Sequence, residues 1–301
     1  MLEPTRRPLD GRAFLLVLVL CLVWGFQQTA MKGVAASVAP VLQLAVRFAA
    51  ATLVFGVYVW QSEGARAFSD GTLPSGLLLG LLFSLEFVFV GEGLLHTTAG
   101  HSAVFLYTAP VFTALGLQFL PEERLSGLQW AGIGLAFLGI VVAFLGFSGR
   151  PAAELLLGDG CALLGGISWG FSSVVLRRSR VGAAATAKTV FYQVGMAAVI
   201  LSAFAVATGQ LNFELNRVAV LSLAFQIVFV GIASYLLWFW LLRRYLTSRL
   251  MLLSLLTPLF GVLFGAWFLG DHVDARFAVG ALLVLAGVLT VNLRAVVRRV
   301  Q

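Results

Sequence analysis

Long apolar stretches separated by short polar linkers dominate this chain. The pattern places about ten spans of roughly 20 residues each, the length that crosses a bilayer as a helix. They fall near 13–32, 40–60, 74–95, 102–120, 128–147, 155–176, 188–207, 218–242, 250–269 and 276–296. The linkers are mostly of 4–15 residues, which leaves no length for a folded soluble domain. The predicted fold is therefore an all-α integral membrane protein with ten transmembrane helices. The first apolar run is longer than the core of a signal peptide and lacks a clean small-x-small cleavage site, so an uncleaved first helix is expected.

Composition agrees. Of 301 residues, 60% are hydrophobic and 11% charged, whereas soluble domains are about 45–50% apolar and about 25% charged. Soluble enzymes and anchored enzymes with a globular head are excluded. The net charge of +7 would point to nucleic acid in a soluble protein. Here it sorts by membrane side. With a cytoplasmic N-terminus, 15 of the 20 Lys and Arg fall inside, four fall outside (Lys32, Arg150, Arg217, Arg276), and Arg47 lies within a span. The positive-inside bias predicts that both termini are cytoplasmic and that no nucleic-acid partner is involved. Cys21 and Cys161 sit in apolar spans and read as packing residues. The sequence indicates no cofactor and no metal; His96 and His101 flank a short outer turn without further ligands.

The chain also repeats itself. Pro110, Glu123, Gly132 and Gly139 match Pro258, Asp271, Gly280 and Gly287 at one offset of 148 residues. Trp24 and Gly25 match Trp169 and Gly170 at an offset of 145, and EFVFVG from Glu86 matches QIVFVG from Gln226. Two five-helix units are expected, covering 1–147 and 148–301. Because five is odd, the second must enter the membrane from the opposite side. Inverted repeats of this kind suit alternating access to a midplane site.

On Trp24, Gly25, Arg47, Phe48, the Pro110 and Pro258 segments and the duplicated stretch from Glu123 to Gly139, the chain resembles the drug/metabolite transporter superfamily, in its ten-helix EamA-type branch. The resemblance implies a secondary transporter that exports small metabolites, with amino acids, aromatic ones included, the best-known cargo. It also implies a central cavity with the fifth and tenth helices at the periphery. Asp271 stands where the family usually has Glu.

Charges inside a bilayer are expensive and mark function by default. Arg47 and Glu86 are the two that clearly lie within spans. Counting about 1.5 Å per residue places Arg47 about 10 Å from the outer end of its helix and Glu86 about 18 Å from the inner end of its own. The two depths nearly coincide in a core about 30 Å thick, so each is expected to serve as the other's counter-ion. Glu86 aligns with Gln226, and Arg47 with Gln193 at a looser offset, so one half is ionic where the other carries amides. A wall of charges facing a wall of hydrogen-bonding groups suits a zwitterion.

Trp24, Gln27 and Gln28 share a helix face by spacing, and Trp169, Ser172 and Ser173 repeat it. These polar stripes are expected to face each other across the centre, since polar groups in a span avoid lipid; interhelical hydrogen bonding is the structural alternative. Tyr107 with Thr108, and Ser254 with Thr257, supply hydroxyls beside Pro110 and Pro258, where proline frees backbone carbonyls and bends the chain. The two kinks are candidate hinges. Together, Trp24, Gln27, Gln28, Arg47, Glu86, Tyr107, Trp169, Ser172, Gln193, Gln226 and Ser254 form the candidate solute site. Expected partners are a small-molecule solute and membrane lipid, with the protein a monomer or a homodimer in the inner membrane. No ATP-binding phosphate loop is present, so ATP-driven pumping is not expected. An exporter of lipophilic cations is the nearest alternative; a membrane-embedded lipid enzyme would need clustered catalytic groups that the sequence lacks.

Overall fold

The computed structural model describes residues 10–119, 125–144, 152–245, 250, 253–254 and 256–297. The helices are α1 (Gly11–Gly33), α2 (Pro40–Glu63), α3 (Leu73–His96), α4 (Ala99–Leu106), α5 (Ala109–Leu117), α6 (Gly127–Phe144), α7 (Ala152–Arg178), α8 (Thr186–Ala207), α9 (Arg217–Phe225), α10 (Ser234–Arg244), α11 (Thr257–Leu269) and α12 (Ala275–Val297). Between α9 and α10 the helix continues as a π-helix, Gln226–Ala233. Among the described residues, seven helices are long and apolar enough to cross a membrane, and three shorter apolar helices accompany them. Glu123, the repeat partner of Asp271, and Arg6, Arg7, Arg124, Arg150, Arg249, Arg298 and Arg299 lie outside the described residues.

Local chemistry sets the helix ends. Asp10 accepts the Ala13 N–H at 2.7 Å and Asn216 accepts that of Ala219 at 2.8 Å, each satisfying a donor that the first turn leaves free. Pro40 and Pro74 stand in the first turns of α2 and α3, where a missing N–H costs nothing. Gly270 closes α11 at φ 68°, a left-handed conformation that favours glycine. Asp271, just beyond it, accepts the Ala99 N–H of α4 at 3.1 Å, stitching two helix ends together.

The α4–α5 pair forms a single span interrupted at Tyr107–Thr108. Pro110 sits in the first turn of α5. Thr108 caps the break by donating its hydroxyl to the Phe105 carbonyl at 2.6 Å. Gly166 of α7 packs against the carbonyls of Phe105 and Leu106, where a Cβ would come within 2.9 Å of both oxygens. At the second kink Pro258 opens α11 beside the buried Thr257, which interacts with the Tyr107 hydroxyl.

Two helix contacts repeat themselves across the molecule. Gly25 of α1 abuts Phe260 and Gly261 of α11, while Gly170 of α7 abuts Phe112 and Thr113 around α5. Likewise Gly139 of α6 abuts Gly280 and Val284 of α12, while Gly287 of α12 abuts Gly132 and Ala136 of α6. The α6–α12 partners run in opposite sequence directions, so these two helices are antiparallel. Their glycine-rich packing is within the chain. Outward of this pair, Phe137, Leu138, Leu282 and Leu289 are exposed.

The main core cluster joins α1, α2, α3 and α8 around Phe48, Phe83 and Phe87. At one end of the bundle the loops are zipped by an antiparallel bridge between Val38 and Phe213. The Glu214 N–H also donates there to the Ser37 carbonyl at 2.8 Å. At the other end Lys188, only 1% exposed, reaches Glu63 at 3.0 Å and Asp70 at 2.6 Å. Lys188, one of the 15 basic residues counted on the inner side, is thus a buried clamp.

Candidate functional site

Helix geometry delivers most of the candidate side chains to one central region. Trp24, Gln27 and Gln28 come from α1, Arg47 from α2, Glu86 from α3, Tyr107 from the α4–α5 break and Trp169 from α7. The π-helix and α10 add Ser234 and Tyr235, which sequence reasoning did not single out. A π segment shifts the register of every later side chain, and such bulges recur at functional sites. Gly231 within it lies against the Arg47 stem, where a Cβ would stand 3.1 Å from Arg47 Cγ. The missing side chain makes the room that the arginine stem occupies.

Arg47 is 1% exposed and Glu86 is 5% exposed. They act on each other electrostatically, but they do not form the expected ion pair. Instead Arg47 Nη1 donates to the Gln27 amide oxygen at 3.1 Å. The guanidinium also lies over the rings of Phe48 and Phe87, 4.6 and 5.1 Å from their centroids. Arg47 Nε and Glu86 Oε2 are both buried and, among the described residues, have no hydrogen-bond partner. Tyr235 and Tyr107 complete the surroundings of Glu86.

The two tryptophans frame this centre differently from the mirrored stripes expected. Trp24 Nε1 donates to the Ser234 hydroxyl at 2.9 Å, and its ring meets Trp238 edge-on at 5.4 Å. Trp169 meets the Tyr107 ring edge-on at 5.2 Å. The Ser172 and Ser173 hydroxyls, however, both donate to the Trp169 carbonyl of their own helix, at 2.8 and 3.1 Å. A short hydroxyl on a helix reaches the backbone one turn back more easily than a partner across the bundle.

One candidate is tied into a separate network. Gln226 is fully buried and donates to Gln43 at 2.6 Å and to Ser222 at 3.1 Å. Gln43 in turn donates to the carbonyls of Met31 and Val38. This amide ladder ties α1, α2 and α9, so the repeat mate of Glu86 does interhelical work. Gln28 is buried, and its amide oxygen has no partner among the described residues. Gln193 and Ser254 are half-buried, on α8 and before α11.

A second buried polar centre was not anticipated. His101 Nδ1 and Asp159 Oδ2 lie 2.8 Å apart, each residue 1% exposed, and the imidazole stacks on Phe277 at 3.7 Å. The Thr97 hydroxyl donates to the other Asp159 oxygen. Asp159 and Lys188 thus join Arg47 and Glu86 among the buried charges. Nearby, burial raises the Asp271 carboxyl above its ordinary range, opposed by the Ala99 N–H and the Lys32 charge. Among the described residues no group of three or more ligating side chains is placed to hold a metal ion.

Comparison with known proteins agrees with this architecture. The EamA-like transporter family matches the chain twice, over 11–145 and 156–293. An uncharacterized transporter, YoaV, of Bacillus subtilis is 22% identical over 278 residues, covering 90% of this chain and 94% of the relative. A probable amino-acid metabolite efflux pump of Escherichia coli is 27% identical over 296 residues, covering 92% and 93%. An uncharacterized inner membrane transporter of Escherichia coli, YedA, is 29% identical over 175 residues, covering 56% and 52%. One crystal structure superposes with a TM-score of 0.61 at 22% identity, over 94% of this chain and 98% of that one, and shares the fold. With both halves of the chain matched, this multi-pass membrane protein belongs to the EamA-like transporter family, and its work is transport, not catalysis.

Proposed function

We propose that the chain exports zwitterionic metabolites of the amino-acid class through the central site by alternating access. The observation that carries this reading is the pair of unmet buried valences, Arg47 Nε and Glu86 Oε2. A buried charge without full partners is costly, by several kcal/mol per ion. A solute carboxylate at Arg47 and a solute amine at Glu86 would satisfy both groups at once. Trp24, Trp169 and Tyr107 then offer ring faces to an apolar or aromatic side chain. Pro110 and Pro258 are the hinge points in this scheme.

The proposed architecture is ten crossings in two inverted halves, 1–147 and 148–301, with both termini cytoplasmic and the protein in the inner membrane. It is supported by the reciprocal contacts of α6 and α12. Two equivalent helices that run antiparallel are related by an axis perpendicular to both, which lies in the membrane plane. The names of the Escherichia coli relatives, a probable amino-acid metabolite efflux pump and an uncharacterized inner membrane transporter, support cargo class and location.

Export of lipophilic cations is a second reading, favoured by the lack of direct contact between Glu86 and Arg47. Counterflow of radiolabelled neutral amino acids and of cationic dyes in proteoliposomes, with and without a pH gradient, separates the two. Under the zwitterion reading Arg47→Gln and Glu86→Gln each slow amino-acid exchange by about ten- to a hundredfold, the worth of one hydrogen bond to a charge. Under the cation reading dye exchange depends on Glu86 alone. Wild-type exchange of both probes in both variants would refute the site.

A further inference from the structure

A groove of about 520 Å³ opens on the surface of the bundle between α2, the start of α8 and α10. Its floor is apolar, built from Val54, Phe55, Val57 and Leu236, and its upper rim carries Tyr58 and Trp240. Val54, Val57, Tyr58 and Leu236 are 43–59% exposed, so the groove faces the lipid side of the helices. Aromatic residues with polar tips mark the level of the headgroups.

Two arginines converge on that rim. The Arg244 guanidinium lies 4.4 Å from the Trp240 ring centroid and that of Arg12 lies 5.8 Å from the same ring. Like charges drawn to one indole repel each other unless an anion lies between them. Asp10, which interacts with Arg12, already accepts the Ala13 N–H at 2.7 Å and the Tyr245 hydroxyl at 3.0 Å. Among the described residues two guanidiniums thus stand against one carboxylate beside Trp240, while Glu63 and Asp70 are both engaged by Lys188 near the start of α8. A third donor set points the same way. Residues Ala185, Thr186 and Ala187 line the groove at the N-terminus of the 22-residue α8, and no side chain caps that end. Free N–H groups at a helix start attract anions.

We propose that this groove binds an anionic phospholipid, with its phosphate between Arg12, Arg244 and the start of α8 and one acyl chain along the floor. Apolar length below a cationic rim, at one end of the helices, is the shape of a single lipid. Basic residues at that level draw anionic headgroups from the leaflet. This site is separate from the central solute site and does not depend on its cargo.

The test is native mass spectrometry of the full chain released from vesicles of equal parts phosphatidylglycerol and phosphatidylcholine. Wild type is expected to retain phosphatidylglycerol preferentially. Arg12→Gln with Arg244→Gln should cut that preference about thirtyfold, about fivefold per arginine. Arg12→Lys with Arg244→Lys should keep most of it. Leu236→Trp, which fills the floor, should weaken retention of both lipids. Equal retention by wild type, an undiminished preference in the glutamine pair, displacement by free glycerol phosphate, or a second copy of the chain on the groove would each overturn the proposal.

Discussion

Arg47 donates to the Gln27 amide oxygen across 3.1 Å, from α2 to α1, at the centre of the bundle. A neutral amide thus holds a buried cation in place without an ion pair to it. Gln27→Leu removes this acceptor and leaves the guanidinium with its ring contacts and the more distant Glu86. We expect a loss of about 1.5–3 kcal/mol, the range for a hydrogen bond to a charged group. Thermal unfolding in detergent checks it, and amino-acid counterflow should weaken in parallel because Arg47 is no longer positioned.

The glycines of α6 provide a paired test of packing. A Cβ on Gly139 would meet the Gly280 carbonyl oxygen at 2.7 Å and the backbone of Val284, whereas one on Gly134 meets nothing within 4 Å. Gly139→Ala should therefore destabilise by about 1–3 kcal/mol through overpacking. Gly134→Ala should be neutral or stabilising, by up to about 1 kcal/mol of helix propensity. Melting temperatures of the two variants in the same detergent decide the matter.

The His101–Asp159 pair is buried on both sides and ringed by Phe277 and Thr97. Asp159→Ala strands the imidazole, and we expect about 3–5 kcal/mol of destabilisation, as for a buried pair broken on one side. His101→Leu with Asp159→Leu should recover much of that loss. A double-mutant cycle that shows additive effects would rule out coupling between them.

Asp70 shows which way acid acts on the clamp at the other end. Its hydrogen bonds to Lys188 and Thr72 hold the carboxyl well below its ordinary value of 3.8. A depressed carboxylate contributes stability that is fully present above the unfolded value. That contribution is lost as pH falls below 3.8 toward the lower folded value. Solvent screens this half-exposed group, so the effect is small. Asp70→Asn should flatten the stability–pH curve in that acid window and leave its slope above pH 5 unchanged, as followed by intrinsic fluorescence.

The hydropathy pattern located the described helices to within a few residues at most ends, because burial in lipid demands an apolar residue at nearly every position of a span. The ninth stretch, expected from 250, is helical at Leu250, Leu253 and Ser254 among the described residues and restarts as α11 at Thr257, beside the proline that interrupts it. The duplication was equally legible, since the matched glycines at 132, 139, 280 and 287 serve one tight contact read from either side. The two central charges were legible too, because the cost of an ion in hydrocarbon makes each conspicuous. Asp159 was passed over although it lies within an apolar stretch, because its neighbours are glycines near a helix start and its partner, His101, is 58 residues away.

What the sequence by itself determined was the set of apolar segments, their repeat and the depth of the polar groups within them. Those are properties of one helix against its solvent. Only the tertiary structure decided which neighbour each polar group found: Arg47 met Gln27 and not Glu86, Gln226 met Gln43, and the Ser172 hydroxyl turned back to its own backbone. Depth along a helix follows from counting residues, but contact depends also on rotation about the axis, on rotamer and on the register shift of a π segment. No spacing along a single chain encodes those.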